Sequence, residues 1–241
     1  MTQPNPHQQT FIPASENRWI LVFFGLIVRW LFYRRFSHVE IIQQYQPSQE
    51  DRTIYILNHT TWWDGILPLL LNQTRFKQRA RAMMELKQMK IFRVFRHIGA
   101  FSIDLESTKN TIRSLRYAVD SMKREGACLF IFPEGKINAP CDDLPQFELG
   151  TGWIIKQCVK EGLDVVVVPI SVYIHEMTRS KPVLWVEIGD PVNFEKTQKD
   201  SQGSTGILTV DQITDTLHTE LELQLQASKK RAYNEAFGNS K

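Results

Sequence analysis

The spacing of apolar residues divides the chain into alternating strands and helices. HVEII (38–42), TIYILN (53–58), RARAMM (79–84) and AFSI (100–103) have the length and composition of strands. ACLFIFPEG, starting at Ala127, and DVVVVPISVYI, starting at Asp164, are continuous apolar runs rich in β-branched residues, the pattern of strands buried on both faces. Pro169 interrupts the second run and removes a ladder donor, which marks an edge, a bulge or the end of pairing. Before the first of these runs TIRSLRYAVDSMKRE places Ile112, Leu115, Val119 and Met122 on one helical face, with Gly126 closing it. LKQMKIFRVFRHI and FELGTGWIIKQCVKEG read as further helices, the latter ended by Gly162, and TWWDGILPLLLNQ starts one despite Pro68. PVLWVEIGDPV adds a late strand, and Val210, Ile213, Leu217, Leu221 and Leu225 recur at helical spacing behind a TVDQ capping box. Strands alternating with helices predict an α/β sheet covered on both faces, in one domain over 37–241 that includes the C-terminal helix.

The N-terminus departs from this alternation. Residues 1–16 are polar and proline-containing, and read as a disordered tail without the order of a secretory signal. Residues 17–36, NRWILVFFGLIVRWLFYRRF, form the most apolar segment, predicted as a membrane-associating helix. From Trp19 to Tyr33 a helix reaches only about 22 Å, short of a hydrocarbon core of about 30 Å. It is therefore expected to lie in one leaflet, with Trp19, Trp30 and Tyr33 at headgroup depth and Arg29, Arg34 and Arg35 facing anionic phosphates. The alternative is an amphipathic helix that covers the protein's own sheet.

Composition narrows the partners. The formal net charge of +3 is far from that of a phosphate-tracking chain, so no nucleic acid partner is expected. The three cysteines, Cys128, Cys141 and Cys158, have no metal-like or C-x-x-C spacing and are expected to be free thiols; no metal site is predicted.

The candidate chemistry sits where apolar strands end. Asn58 and His59 close TIYIL, and Asp64 follows five residues after the histidine. A carboxylate at that offset can accept the Nδ1 proton and orient the ring, leaving Nε2 to act as a base; a purely structural polar pair is the alternative. LFIFPEGK, ending at Lys136, delivers Glu134 to a turn between Pro133 and Gly135, either an ordinary strand exit or a place to hold a substrate hydroxyl.

Taken in order, N-H-x-x-x-x-D, E-L before a G-x-x-x-I-D turn, F-P-E-G and V-x-V-V-P resemble the lysophospholipid and glycerolipid acyltransferase family, which includes bacterial 1-acyl-glycerol-3-phosphate acyltransferases. The resemblance spans about residues 38–190. It implies a mixed central sheet flanked by helices, a membrane-associating N-terminal segment, location on the cytoplasmic face of a membrane, and transfer of an acyl chain from a coenzyme A or acyl carrier protein thioester to a lipid hydroxyl, without a further cofactor. It implies His59 as general base and Asp64 as its orienter, with the oxyanion met by N–H groups near His59 or Gly135. Asn58, Trp63, Pro133, Glu134, Gly135 and Lys136 are the implied substrate-binding residues, Glu134 holding the acceptor or supporting the turn. Trp62 and Trp63 would line the site or an acyl tunnel, unless they are core.

The chain departs from the family at three places. Where relatives with phosphate-bearing acceptors carry lysine or arginine, this chain has Met83 and Met84, Leu105 and Ile137; Arg81, Lys87 and Lys136 are the nearby cations that could substitute. The acceptor is thus either a lysophospholipid such as 1-acyl-glycerol-3-phosphate or a related lipid without phosphate. A thioester or lipid hydrolase is an alternative, though no G-x-S-x-G elbow is present, as is a non-catalytic lipid-binding protein. The pattern does not specify an oligomeric state.

Overall fold

The strands are β1 (His38–Gln43), β2 (Arg52–Leu57), β3 (Arg79–Glu85), β4 (Ala100–Ile103), β5 (Ala127–Ile131), β6 (Val165–His175) and β7 (Val183–Ile188), in a computed structural model that describes residues 11–139, 143–176, 180–194 and 208–238. They form one sheet in the order β1-β7-β6-β2-β5-β3-β4. β2 to β6 all run the same way; β7 is antiparallel to β6, and β1 is parallel to β7. The sheet is therefore mixed. Residues 176–182 are too short a connection for a crossover, so β7 can only return antiparallel. Pro169 lies in an interior strand, and β6 begins to pair with β7 one residue later, at Ile170. Pairing with β2 continues through Pro169 to Ile170, so of its three expected meanings only the end of pairing on the β7 side applies.

Alternation along β2 divides the core. Ile54 and Ile56 face α4 (Thr108–Met122), α5 (Gly150–Lys160) and α6 (Val210–Phe237), where Leu115, Ile154, Leu217 and Leu221 are buried. Tyr55 and Leu57 face α1 (Arg18–Arg35) and α2 (Leu67–Leu71), with Val28, Phe32, Leu67 and Leu71. Cys128 and Cys158 are buried and unpaired, and burial pushes the Cys158 thiol up to about 12, so it stays protonated; Cys141 lies outside the described residues.

Several boundaries differ from the sequence expectation. Residues 62–76 split into a 3₁₀ turn (Trp62–Gly65), α2 with Pro68 in its first turn, and a wider turn (Asn72–Phe76) closed by Lys77 at φ 57°. Proline there loses no helical donor, which reconciles it with the helix. The next helix stops early: α3 (Leu86–Ile91) gives way to a 3₁₀ turn (Arg93–Ile98), ended by Gly99 at φ 103°. Residues 1–10 of the expected tail lie outside the described residues, and residues 11–16 are docked rather than free. Ile12 is buried; its N–H donates to Ser102 Oγ at 2.7 Å, and its carbonyl accepts from the Ser102 N–H at 2.9 Å. β4 is the edge strand, and its unpaired backbone groups supply partners that the tail's polar composition does not reveal.

α1 is capped by Asn17, whose side chain accepts from the Trp19 and Ile20 N–H groups. One side packs on the sheet through Val28 and Phe32, while Gln73 donates to the Leu21 carbonyl at 2.9 Å. The other side exposes Trp19, Phe23, Leu26, Trp30 and Tyr33, an apolar stripe at helical spacing. The packed side is what the covering-helix reading expected; the other side is apolar and exposed. Among the described residues no helix is long and apolar enough to cross a membrane.

Candidate active site

β2 and β5 are parallel neighbours, so the loops after their carboxyl ends meet, and these loops carry His59 and Glu134. Asn58 fixes the first loop. Its amide donates to the Val172 carbonyl at 2.9 Å and accepts from the Val172 N–H at 2.7 Å, imitating one more ladder step onto β6. It is fully buried and borders only a recess of about 60 Å³, so it is a positioning residue and not the substrate contact expected from the sequence.

His59 is held by a ring of hydrogen bonds. Its N–H donates to Glu134 Oε1 at 2.8 Å; Glu134 Oε2 accepts from the Asn138 amide at 2.5 Å; the Asn138 N–H donates back to the His59 carbonyl at 2.9 Å. Both oxygens of the buried Glu134 are thereby engaged within the turn, the geometry of the supporting role among the two expected of it. Burial raises its pKa above the usual carboxyl range, against the lowering effect of these hydrogen bonds.

Asp64 stands on the 3₁₀ turn, 1% exposed. Its Oδ2 accepts from the Thr60 and Thr61 N–H groups, each at 2.7 Å, and its Oδ1 from the Thr61 hydroxyl at 3.0 Å. His59 Nδ1 lies 3.5 Å from Oδ2, at the outer limit for a hydrogen bond. Such pairs commonly tighten when substrate binds. The imidazole stacks on Phe132 with centroids 4.2 Å apart and borders the main cavity, so engagement of Nδ1 leaves Nε2 as the nitrogen available to a ligand.

That cavity, of about 600 Å³, lies within the range typical of ligand sites. Trp62, Pro133, Gly135, Lys136 and Ile137 surround its mouth beside His59. Deeper, Ile66, Leu69, Ala80, Ala82, Phe95 and Phe130 form apolar walls, with the small alanines of β3 leaving the space. Leu21 of α1 roofs it, and Asn72 and Gln78 close its far end. Gln78 is anchored there by Asn72, Thr53 and the Tyr55 hydroxyl. From Met84 to Gln78 the strand rise spans about 20 Å, enough for a long extended chain.

Trp63 does not line this cavity. It packs edge-on against Phe32 and Phe36, tying α1 to the histidine loop, because successive side chains on a 3₁₀ turn point about 120° apart, which turns one indole inward and leaves Trp62 at the mouth. Two backbone N–H groups of the two loops are already engaged. The His59 N–H is taken by Glu134, and the Gly135 N–H donates to the Phe132 carbonyl at 3.1 Å. Lys136, one residue further, is the cation at the mouth. Sequence reasoning missed Asn138 and Phe132; neither belongs to a periodic pattern, and only the fold brings them to His59.

Among solved structures, the chain is similar to the 1-acyl-sn-glycerophosphate (LPA) acyltransferase PlsC from Thermotoga maritima, with a TM-score of 0.58 and 18% identity, covering 90% of this chain and 80% of that one. At this identity the likeness establishes the fold, a seven-stranded mixed α/β sheet with flanking helices. No curated protein sequence matches the chain. The Acyltransferase family model, however, matches residues 37–173, more than half of the chain and both loops that form the site. The protein belongs to the acyltransferase family.

Proposed function

We propose that the protein transfers a fatty acyl group from an acyl thioester, of coenzyme A or acyl carrier protein, to a lipid hydroxyl at a membrane surface. The observation that carries this reading is the His59–Asp64 pair at the mouth of a long apolar cavity. The acyl chain lies between α2, β3 and the roof formed by α1, which places the thioester carbonyl beside His59. His59 Nε2 takes the proton of the acceptor hydroxyl as its oxygen attacks that carbonyl. Asp64 holds the tautomer and stabilises the imidazolium. The tetrahedral intermediate collapses with cleavage of the C–S bond, and the departing thiolate recovers the proton from His59, giving an ester and a free thiol. Lys136 supplies positive potential to the oxyanion. The exposed stripe of α1 inserts among lipids, with Arg29 and Arg34 at the phosphates, so that acceptor and product reach the cavity from the leaflet.

The test is incubation of the purified protein with radiolabelled acyl-CoA or acyl carrier protein thioesters and a whole-lipid extract. Label should enter a lipid ester, and His59→Ala should lower the rate about 10²- to 10⁴-fold with unchanged thermal unfolding. Thiol release that needs no acceptor would instead identify a hydrolase. Full activity in the folded His59→Ala protein would remove the mechanism.

A further inference from the structure

We propose that the acceptor presents its hydroxyl from an uncharged headgroup, one bearing no phosphate. This rests on the acyl-transfer reading above and names the acceptor class for the same site. The argument is the charge of the cavity. Besides His59, the ionisable side chains that border it among the described residues are Glu16, Arg81, Glu85, Lys136 and Glu148. Carboxylates outnumber the cations, and one of the two cations already has a carboxylate partner. Arg81 is buried, with Nη1 on Glu16 and Nε left without a partner.

The sheet register also places Arg81 too deep. Arg81 and Ile54 both align with Leu129, and β2 continues to Leu57 before the histidine loop begins, so Arg81 lies at least about 10 Å below the rim. A phosphate a few bonds from the reacting hydroxyl would remain near the rim. Lys87 does not border the cavity and sits 2.5 Å from Glu106.

At the rim itself, Met83 and Met84 precede Glu85 at the end of β3, Leu105 follows β4, and Ile137 adjoins the Asn138 that holds the His59 carbonyl. All four border the cavity. An anionic headgroup would meet these apolar walls, two carboxylates and a single exposed ammonium, without the convergent charge-assisted donors that a phosphate needs to leave water. An uncharged polyol or ester headgroup suffers no such repulsion. The site thus discriminates by what it withholds as well as by what it offers.

The test uses two acceptors that differ only in phosphate, 1-oleoylglycerol and 1-oleoylglycerol-3-phosphate, at equal mole fraction in micelles of an uncharged detergent, with a labelled acyl thioester as donor. The expected kcat/KM is at least tenfold higher for 1-oleoylglycerol. Equal or better use of the phosphate-bearing acceptor overturns the proposal. A parallel arm with a whole-lipid extract covers the case in which neither glycerolipid is taken: label in a phosphorus-free lipid supports the proposal, and label in a phosphorus-containing lipid overturns it. No labelled lipid in any arm defeats the acyl-transfer reading itself. The double variant Leu105→Arg/Ile137→Arg, at two half-exposed positions, should narrow the acceptor ratio severalfold. An unchanged ratio would show that these side chains do not face the headgroup, and overturns the assignment.

Discussion

The two faces of the sheet are built to different ends. On the face covered by α4, α5 and α6, side chains interdigitate into a large continuous cluster, and Ile154, Leu217 and Leu221 are fully buried. On the opposite face, α1, α2 and two short 3₁₀ turns cover the sheet incompletely, and Ala80 and Ala82 leave a cavity where larger residues would have closed the core. The coverings differ as well. α6 turns a mostly polar side outward, whereas α1 exposes Trp19 and Tyr33 at 82% each, at the two ends of an apolar stripe. The buried cluster is the more extensive on the first, closed face. The hollow face gives up packing for a cavity, and its covering helix keeps a contiguous apolar stripe exposed.

This contrast can be broken from either side. The largest expected effect is on lipid association: replacing Trp19, Phe23 and Leu26 together by serine removes roughly 1.5–3 kcal/mol of burial at each position once inserted. Binding to anionic vesicles in a flotation assay should fall at least 100-fold, while the melting temperature barely moves because these side chains contact solvent in the free protein. On the closed face, Leu217→Ala should destabilise the fold by about 2–5 kcal/mol in denaturant unfolding, and the protein that remains folded should keep its activity. Ala82→Phe reverses that profile. It fills the cavity, so transfer from long-chain thioesters should drop about tenfold relative to short-chain ones, with stability preserved or slightly raised.

The smallest change tests the turn. Because burial raises the Glu134 pKa, Glu134→Gln removes a desolvation cost and keeps an acceptor for the His59 N–H, so it should lower kcat only severalfold, while Glu134→Ala, which frees the loop, should lower it much further. The direction of the shift sets a pH dependence too. A carboxyl whose folded pKa is raised favours the native state most below its unfolded value, and that contribution is lost as pH rises through the folded value. The stability of the wild type relative to Glu134→Gln should therefore fall as the pH is raised from below the ordinary carboxyl range through the raised folded value, as measured by thermal unfolding.

The residues that were legible in the sequence are those whose signal is local. His59 and Asp64 sit five apart at the end of an apolar strand, a spacing that a single loop can turn into a contact, and they do meet. The glycine and proline around Glu134 announced a turn. Its role did not follow, because the Glu134 carboxylate finds its partner 75 residues away in sequence, across the β2–β5 ladder. Asn58 and Trp63 were assigned to substrate for the same reason: proximity along the chain to the histidine says nothing about which way each side chain turns.

Hydrophobic periodicity by itself determined that there would be strands, helices and one apolar N-terminal segment, since burying a face at period 2 or 3.6 is a property of each segment alone. Strand order, the reversal of β7, the docking of residues 11–16 on the edge of β4 and the hollow under α1 were decided only in the tertiary structure. Each depends on how volumes and unpaired backbone groups from distant segments are satisfied together. An alanine reads the same in sequence whether it faces a close-packed neighbour or borders an empty channel.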